Sequence, residues 1–159
     1  MDIKRYLEKK GIKFRCFSHP PVFTCDDAEK HYKRIGMKAM HCKNLFLKDR
    51  KSKRFFLVVL PAKKMLDLSK LSKSLGQKIK FSNEKELRDI LSLNPGSVSP
   101  FGLVNDKEKK VEVIVDRDVW DSALVSFHPN VNTETLEISN KDFHAFLGIM
   151  GNKREILDL

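Results

Sequence analysis

Apolar residues recur at helical spacing at the start of the chain and then give way to a short extended segment. The sequence IKRYLEKKG places Tyr6 and Leu7 three and four residues after Ile3, on one face of a helix, and ends at Gly11. It therefore predicts a short amphipathic helix. The next segment, IKFRCFSH, predicts a strand. Thr24 followed by Asp27 resembles a capping box, which predicts a second helix over DDAEKHYKRI that ends at Gly36.

A polar turn separates two apolar stretches in the next part of the chain. Residues 41–47 and 54–60 flank the sequence DRKSK and predict a β-hairpin at the centre of a sheet. Leucines at helical spacing before Gly76 predict a helix over LDLSKLSKSLG. Asn83 with Glu86 predicts a capped helix over EKELRDIL, and the sequence KIKF between the two helices predicts a short strand.

The C-terminal third alternates between strand and helix patterns. VEVIVDRD, LVSFH and LEIS predict strands, KDFHAFLGIM predicts a final helix, and NPGSVSPFG predicts a loop. We expect residues 152–159 to form a flexible tail. The chain contains no internal repeat and no Gly/Ser-rich linker, so we expect one domain over residues 1–159. Because strands occur both in hairpin order and between helices, the predicted fold class is α/β (α+β), with a mixed sheet flanked by helices.

Charge and cysteine content indicate which kinds of partner and ligand the protein binds. The chain has 31 Lys and Arg against 21 Asp and Glu, a formal charge of +10, which favours a polyanion such as nucleic acid but is also typical of a lysine-rich solvated surface. Three cysteines without a C-x-x-C pair, and five scattered histidines, argue against a disulfide framework and against a bound metal. No apolar run is long enough for a signal peptide or a membrane span, so we expect a cytoplasmic protein without a membrane partner.

Lys43 and Asn44 form a polar pair inside an apolar run, HCKNLFLKD. A lysine near a central strand is typical of a site that holds anionic or carbonyl oxygen, because lysine is rarely buried without a partner. The same placement also fits a lysine at a strand end that reaches solvent.

The loop NPGSVSPFGLVND concentrates small residues. Its glycines would allow backbone N–H groups to approach a substrate and stabilise an oxyanion, although most loops of this composition are only turns. Five residues of this loop are therefore candidates for a site: Gly96, Ser97, Ser99, Pro100 and Gly102.

His128 closes a predicted strand and precedes Pro129, which favours an extended backbone at the strand end. Strand ends often line clefts, so His128 is a candidate site residue. A structural histidine, hydrogen-bonded within the fold, is the alternative.

Four segments together resemble the YbaK-like, prolyl-tRNA synthetase-associated editing domains, in the order in which that family has them: SHPPVFTCDDAEKH, HCKNLFLKD, PGSVSPFGLVND and VSFHPNVNTETLEIS. The motifs are most similar to those of the freestanding deacylases of Ala-tRNA(Pro), often called ProXp-ala or PrdX. The resemblance implies a mixed, mostly antiparallel and barrel-like sheet flanked by helices. It also implies hydrolysis of misacylated transfer RNA without a metal or organic cofactor.

The same resemblance implies roles for individual residues. Lys43, Gly96 and Ser97 match the positions expected to act in catalysis. The positions that match substrate-binding residues of the family are His19, Phe23, Thr24, Asn44, Ser99, Pro100, Gly102 and His128.

The implied reaction is attack of water on the aminoacyl ester of mischarged tRNA(Pro), bound by its acceptor end. Prolyl-tRNA synthetase is a second candidate partner, and we expect a monomer. A small pocket would admit alanine and exclude proline, the double-sieve principle. Cysteine is close to alanine in size, so a deacylase of Cys-tRNA(Pro) or of several small aminoacyl-tRNAs is an alternative. A noncatalytic tRNA-binding or synthetase-associated module is another.

Overall fold

The described residues fold into one mixed sheet with helices around it. The computed structural model describes residues 1–21, 30, 33–34, 36–51 and 53–159. Within these ranges the strands are β1 (Arg15–Ser18), β2 (Met40–Asp49), β3 (Phe55–Pro61), β4 (Ile79–Phe81), β5 (Val111–Asp116), β6 (Leu124–Phe127), β7 (Glu134–Ser139) and β8 (Arg154–Leu157). The helices are α1 (Ile3–Lys9), α2 (Leu68–Leu75), α3 (Glu84–Leu91), α4 (Arg117–Asp121) and α5 (Asn140–Met150), with a 3-10 helix at Pro100–Asn105.

The strands pair in the order β1-β7-β6-β2-β3-β5-β8, and β4 pairs with β2 outside this path. β1 with β7, β6 with β7, β2 with β3 and β2 with β4 are antiparallel. β2 with β6, β3 with β5 and β5 with β8 are parallel. The prediction of a mixed sheet flanked by helices, with the 41–60 hairpin at its centre, is confirmed. The path is open, with β1 and β8 at its two ends.

β2 changes its neighbour along its length. Met40 and His41 at its start pair with β6, whereas residues from Leu47 to Asp49 at its end pair with β4. Residues 42–46 pair with β3 on one side and with no described strand on the other. The sheet therefore opens beside the middle of β2, which is where Lys43 and Asn44 lie.

Local signals in the sequence explain where the helices begin and end. The predicted capping box is confirmed, since the Asn83 side chain accepts from the Glu86 amide and the Glu86 carboxylate accepts from the Asn83 amide. Asp2 caps α1, and Gly76 ends α2 in the left-handed conformation that glycine adopts without strain. No helix among the described residues has the length and apolar content needed to cross a membrane.

Two apolar clusters cover the two faces of the sheet. The larger contains four aromatic rings in mutual contact, with centroids 4.9–5.9 Å apart: Phe101, Phe127, Phe143 and Phe146. The smaller cluster packs Leu71 of α2 against side chains of β2 and β3. Burial of these side chains is the main driving force that holds the helices to the sheet.

Three segments differ from the prediction. Most of the helix predicted over DDAEKHYKRI lies outside the described residues. The strand predicted over VEVIVDRD ends at Asp116, because the Asp116 side chain caps α4 by accepting from the Asp118 amide at 2.8 Å. The loop NPGSVSPFG contains the start of the 3-10 helix, capped by Ser99.

The C-terminal segment also differs. We expected residues 152–159 to be flexible, but residues 154–157 instead form β8, paired in parallel with β5. Ile156 packs against the larger cluster, and Leu157 and Leu159 pack against the smaller one. The strand forms because β5 offers an unpaired edge and both clusters offer apolar surface, neither of which is visible in the local sequence.

Gly102 of the 3-10 helix gives a test of this packing. A Cβ at Gly102 would lie 2.6 Å from Leu93 Cδ1 and 3.3 Å from Leu91 Cβ, so Gly102→Ala should lower the free energy of unfolding by about 1–3 kcal/mol through overpacking. Gly148 in α5 has no atom within 4 Å of its Cβ position, and Gly148→Ala should raise stability by about 0.5–1 kcal/mol. Chemical denaturation of both variants measures the two shifts. Equal stability of the two would contradict the close approach of Gly102 to Leu93.

Candidate functional site

Side chains of β2 leave the sheet alternately on its two faces. Cys42 and Phe46 belong to the larger apolar cluster, so Asn44 between them takes the same face. Lys43 takes the opposite face, together with Leu45 and Leu47 of the smaller cluster. The two residues of the predicted polar pair therefore act on different sides of the sheet.

The face that carries Lys43 continues across β6 and β7. His41 pairs with Ser126 in parallel register, and Ser126 pairs with Glu137 on β7. Alternation then places His41 and five further polar residues on this one face: Lys43, Ser126, His128, Thr135 and Glu137. We call this set the polar face. It lies opposite the larger apolar cluster, which takes the intervening side chains of β6 and β7.

Lys43 is half-buried and stands across from Leu60 of β3. Its ammonium makes no hydrogen bond or ion pair with any other residue that the structure describes. Lys48 on the same strand, in contrast, is neutralised by Glu86 at 2.6 Å. A half-buried ammonium without an acidic partner is available to an anionic or carbonyl oxygen of a ligand.

His128 is half-buried at the end of β6, and its Nδ1–H donates to the Glu134 carbonyl at 2.9 Å. Burial lowers the pKa of His128 below its ordinary value. The hydrogen bond to Glu134 opposes that shift, and the ring of His19, 6.0 Å away, adds to it. The imidazole is therefore neutral at neutral pH. Since Nδ1 holds the proton, Nε2 is an acceptor.

His19 is buried and anchors the chain after β1. Its Nδ1–H donates to the Pro20 carbonyl at 2.8 Å, and its Nε2 accepts from the Thr135 hydroxyl at 2.7 Å. Its backbone amide donates to Thr133 at 2.9 Å. The structure therefore places His19 beside His128, and both ring nitrogens of His19 are hydrogen-bonded within the fold.

Glu137 is a buried carboxylate on the polar face that was not among the predicted site residues. It accepts from the amides of Lys38 and Ala39 at 3.0 and 3.1 Å and from Arg15 at 3.4 Å. These bonds hold the start of β2, and with it Lys43, against β7. The sequence did carry a signal for this residue. Thr135 and Glu137 alternate with Leu136 and Ile138, so one face of the strand is polar and the other is apolar.

Asn44 connects β2 to the small-residue loop. Its Nδ2 donates to the Val98 carbonyl at 3.2 Å. Its Oδ1 is buried and has no hydrogen-bond partner among the described residues. Buried polar atoms are nearly always paired, so this acceptor is open to a water molecule or to a ligand donor.

The loop itself turns at Gly96. Ser97 N–H donates to Asn94 O at 3.1 Å, and Gly96 has a φ of 85°, as expected for an Asn-Pro-Gly-Ser turn with Pro and Gly at its centre. Gly96 is exposed, whereas the Ser97 side chain is buried. The exposed amide edge of this turn is therefore at Gly96.

Ser99, Pro100 and Gly102 lie under the loop and are buried. The Ser99 hydroxyl accepts from the Phe101 amide at 3.1 Å, and Gly102 packs against Leu93. We predicted that these residues contact substrate. In the structure they shape the loop from below and do not face solvent. Phe23 and Thr24, also predicted to bind substrate, lie outside the described residues.

Cys42 and the described histidines form no nucleophilic or metal-binding group. Burial raises the pKa of the Cys42 thiol to about 12, so this thiol stays protonated and unreactive at neutral pH. In the part of the chain that the structure describes, no three His, Cys, Asp or Glu side chains are grouped to hold a metal ion. The chemistry that the described residues offer is a cation, a neutral imidazole, the hydrogen-bonded Glu137 carboxylate and backbone amides.

The neutral state of His128 predicts a pH dependence of stability. Because the folded pKa lies below the unfolded pKa, the unfolded state binds more protons between the two values, and stability falls as the pH drops through that window. His128→Asn keeps a donor for Glu134 and removes this titration, so its unfolding free energy should fall less between about pH 7 and pH 5. Denaturation at several pH values and NMR titration of the imidazole measure both effects. A midpoint at or above about 6.5, the ordinary histidine value, would contradict the expectation.

Comparison with known proteins identifies the family. The model of the aminoacyl-tRNA editing domain matches residues 19–146. The prolyl-tRNA editing protein ProX of Acetoanaerobium sticklandii is 33% identical over 156 residues, which cover 96% of this chain and 93% of that protein. The prolyl-tRNA synthetase associated domain-containing protein 1 of Danio rerio is 32% identical over 149 residues, covering 92% of this chain and 79% of that protein.

A solved structure agrees with the fold. The crystal structure of a candidate trans-editing enzyme for prolyl tRNA synthetase matches with a TM-score of 0.70 at 18% identity, covering 98% of this chain and 96% of that one. The resemblance to YbaK-like editing domains that the four motifs indicated is thus confirmed. The chain belongs to the aminoacyl-tRNA editing domain family, whose enzymes hydrolyse the amino acid ester of wrongly charged transfer RNA.

Proposed function

We propose that this protein edits prolyl-tRNA in trans by hydrolysing mischarged Ala-tRNA(Pro). The observation that carries the proposal is the half-buried ammonium of Lys43, which pairs with no residue that the structure describes and lies on the polar face beside the opening of the sheet along β2. The prolyl-tRNA editing relative, matched over 93% of its length, supports the choice of tRNA(Pro). Prolyl-tRNA synthetase is a candidate partner, since the name of the Danio rerio relative refers to a prolyl-tRNA synthetase associated domain.

The reaction needs little from the protein beyond positioning. An aminoacyl ester is already activated compared with an amide, so a held substrate, a placed water and an oxyanion donor suffice for hydrolysis. Water loses a proton to solvent as it adds to the carbonyl carbon and forms the oxyanion. The ester C–O bond then breaks and the ribose oxygen takes up a proton, which leaves alanine and the free ribose hydroxyl. No protein nucleophile is required, which fits the protonated state of Cys42.

Lys43 is assigned to the terminal phosphate or ribose of the substrate. A lysine ammonium that no described carboxylate engages is available to a phosphate oxygen. It would hold the aminoacylated end at the opening of the sheet beside β2, so that the ester lies between the polar face and the small-residue loop. A role as general base is less suited to it, because that requires a strongly lowered pKa and a low-dielectric surround.

The loop is assigned to the oxyanion. The Ser97 amide already donates to Asn94, so the Gly96 amide is the better donor from this turn. Gly96 has a positive φ, a backbone conformation that other residues adopt only with strain. Gly96 is also exposed, so its backbone is accessible to a substrate. Asn44 holds this loop to β2 through Val98, so it positions the donor relative to the strand that carries Lys43.

His128 is assigned to the amino acid end of the substrate. Its neutral ring offers Nε2 as an acceptor, which suits an ammonium or hydroxyl donor of the aminoacyl group. His19 supports the His128 ring from 6.0 Å and is itself held by Thr135.

The amino acid specificity is tested by a panel of charged tRNAs. Purified protein should release alanine from Ala-tRNA(Pro) faster than cysteine from Cys-tRNA(Pro), and should leave Pro-tRNA(Pro) intact, because a pocket sized for alanine excludes the proline ring. Faster release of cysteine would assign the protein to cysteine editing. Binding of all three tRNAs without hydrolysis would instead identify a noncatalytic tRNA-binding module.

Lys43 is tested by substitution. Lys43→Ala should lower kcat/KM for Ala-tRNA(Pro) by about 10- to 100-fold, a loss of about 1.4–2.7 kcal/mol, with most of the change in KM because the ammonium binds substrate. Lys43→Arg keeps the charge and should recover part of the loss. Lys141→Gln removes an exposed charge at the start of α5 and serves as the matched control, with activity near wild type. Equal rates for Lys43→Ala and the control would reject the role of Lys43.

A further inference from the structure

Exposed cations gather at the end of the sheet where β2 turns into β3 and β4 joins β2. Arg50, Lys51 and Lys53 lie in or next to the turn, and Lys78 and Lys80 lie in or next to β4. The Arg50 amide donates to the Lys78 carbonyl at 3.1 Å, and Lys80 pairs with Lys48 in the β2–β4 register. We call these five residues the basic edge.

The charge of the basic edge is not neutralised. Its five cations make no ion pair with the residues that the structure describes, whereas equally exposed cations elsewhere do, such as Lys85 with Asp89 and Arg117 with Asp158. The acid in this region, Asp49, is buried, and its Oδ1 accepts from the Lys53 and Arg54 amides. The basic edge is therefore a concentrated part of the net charge of +10.

The backbone beneath the basic edge is well held. Within β4, Ile79 N–H donates to the Ser72 hydroxyl at 3.1 Å, and the following Ser82 N–H donates to Phe46 O at 3.0 Å. Ile79 packs into the smaller apolar cluster. Lys80 thus extends from a held strand, with Lys78 directly before it, so a ligand that binds these two lysines meets a preformed part of the surface.

An exposed ring lies at the same place. Phe81 ends β4 and is 56% exposed. By strand alternation it leaves the opposite face from Lys80, so this short strand offers charge on one side and an apolar ring on the other.

The basic edge is distant from the candidate site but belongs to the same strand. Lys43 and Asp49 are six residues apart on β2, which corresponds to about 20 Å along an extended strand. A transfer RNA extends well beyond its aminoacylated end, so one molecule can contact both Lys43 and the basic edge. A small ester that is bound at Lys43 is too short to contact the basic edge.

We propose that the basic edge binds backbone phosphates of the transfer RNA body while the aminoacylated end lies at Lys43. The proposal rests on the proposed function for the identity of the RNA. Double-stranded RNA is recognised mainly by its shape and phosphates, so lysines on a rigid edge provide affinity without reading bases. The basic edge therefore contributes to binding of the whole tRNA and leaves the chemical step to the polar face.

The first experiment measures binding of uncharged tRNA(Pro) over a series of salt concentrations. The double variant Lys78→Gln with Lys80→Gln should lower affinity by about 10-fold and reduce the slope of log affinity against log salt by about 1–2, close to one for each phosphate that the variant no longer neutralises. The control double variant Lys13→Gln with Lys141→Gln removes the same charge from exposed positions near β1 and α5. It should change affinity by less than about 2-fold, because only long-range attraction is reduced. Equal weakening by both double variants, or no weakening by the first, would overturn the proposal.

The second experiment separates this proposal from the proposed function. Alanyl-adenosine carries the ester but no tRNA body, so the Lys78→Gln and Lys80→Gln variant should hydrolyse it at the wild-type rate while its kcat/KM on full-length Ala-tRNA(Pro) falls. An equal decrease on both substrates would contradict a role confined to the tRNA body. If wild-type protein hydrolyses neither ester, the proposed function fails, and the tRNA binding comparison still decides the role of the basic edge. Thermal denaturation of both double variants verifies that each is folded.

Discussion

The arrangement of this protein depends on the backbone pairing of β2. Its start pairs with β6, its end pairs with β4, and its middle pairs with β3 alone among the described strands. The change of neighbour opens the sheet beside residues 42–46 without breaking the strand. One continuous strand therefore contains the candidate site, leads into the hairpin turn and pairs with both halves of the sheet.

Alternation along β2 then separates two tasks. Lys43 contributes charge to the polar face, and Asn44, one residue later, holds the small-residue loop on the opposite face. A shift of register by one residue would exchange these positions, and the apolar clusters on both faces prevent it because Cys42, Phe46 and Leu47 are all buried. The hydrophobic core in this way specifies the position of the polar residues.

Burial also sets the chemical state of the candidate site. It keeps the Cys42 thiol protonated and the His128 imidazole neutral, whereas the Lys43 ammonium makes no ion pair with any described residue. Such a site is suited to hold an anionic substrate and to provide acceptors and backbone donors, which is what hydrolysis of an activated ester requires. Glu137 and Thr135, on the polar face itself, stabilise this geometry through bonds to Lys38, Ala39 and His19.

Much of this could be predicted from the sequence. Capping residues and apolar periodicity are local signals, so α1, α2, α3 and the central hairpin were predicted close to their observed positions, and the ordered motifs indicated the editing family. The tertiary structure decided what depends on distant partners. It made residues 154–157 a strand because β5 had a free edge, and it placed Ser99 and Gly102 beneath the loop because Leu93 and Phe101 pack there. It also placed Lys43 and Asn44 on opposite faces and added Glu137 to the polar face. Residue types and short-range spacing determine elements and family, but which side chains share a face depends on the register between strands far apart in the chain.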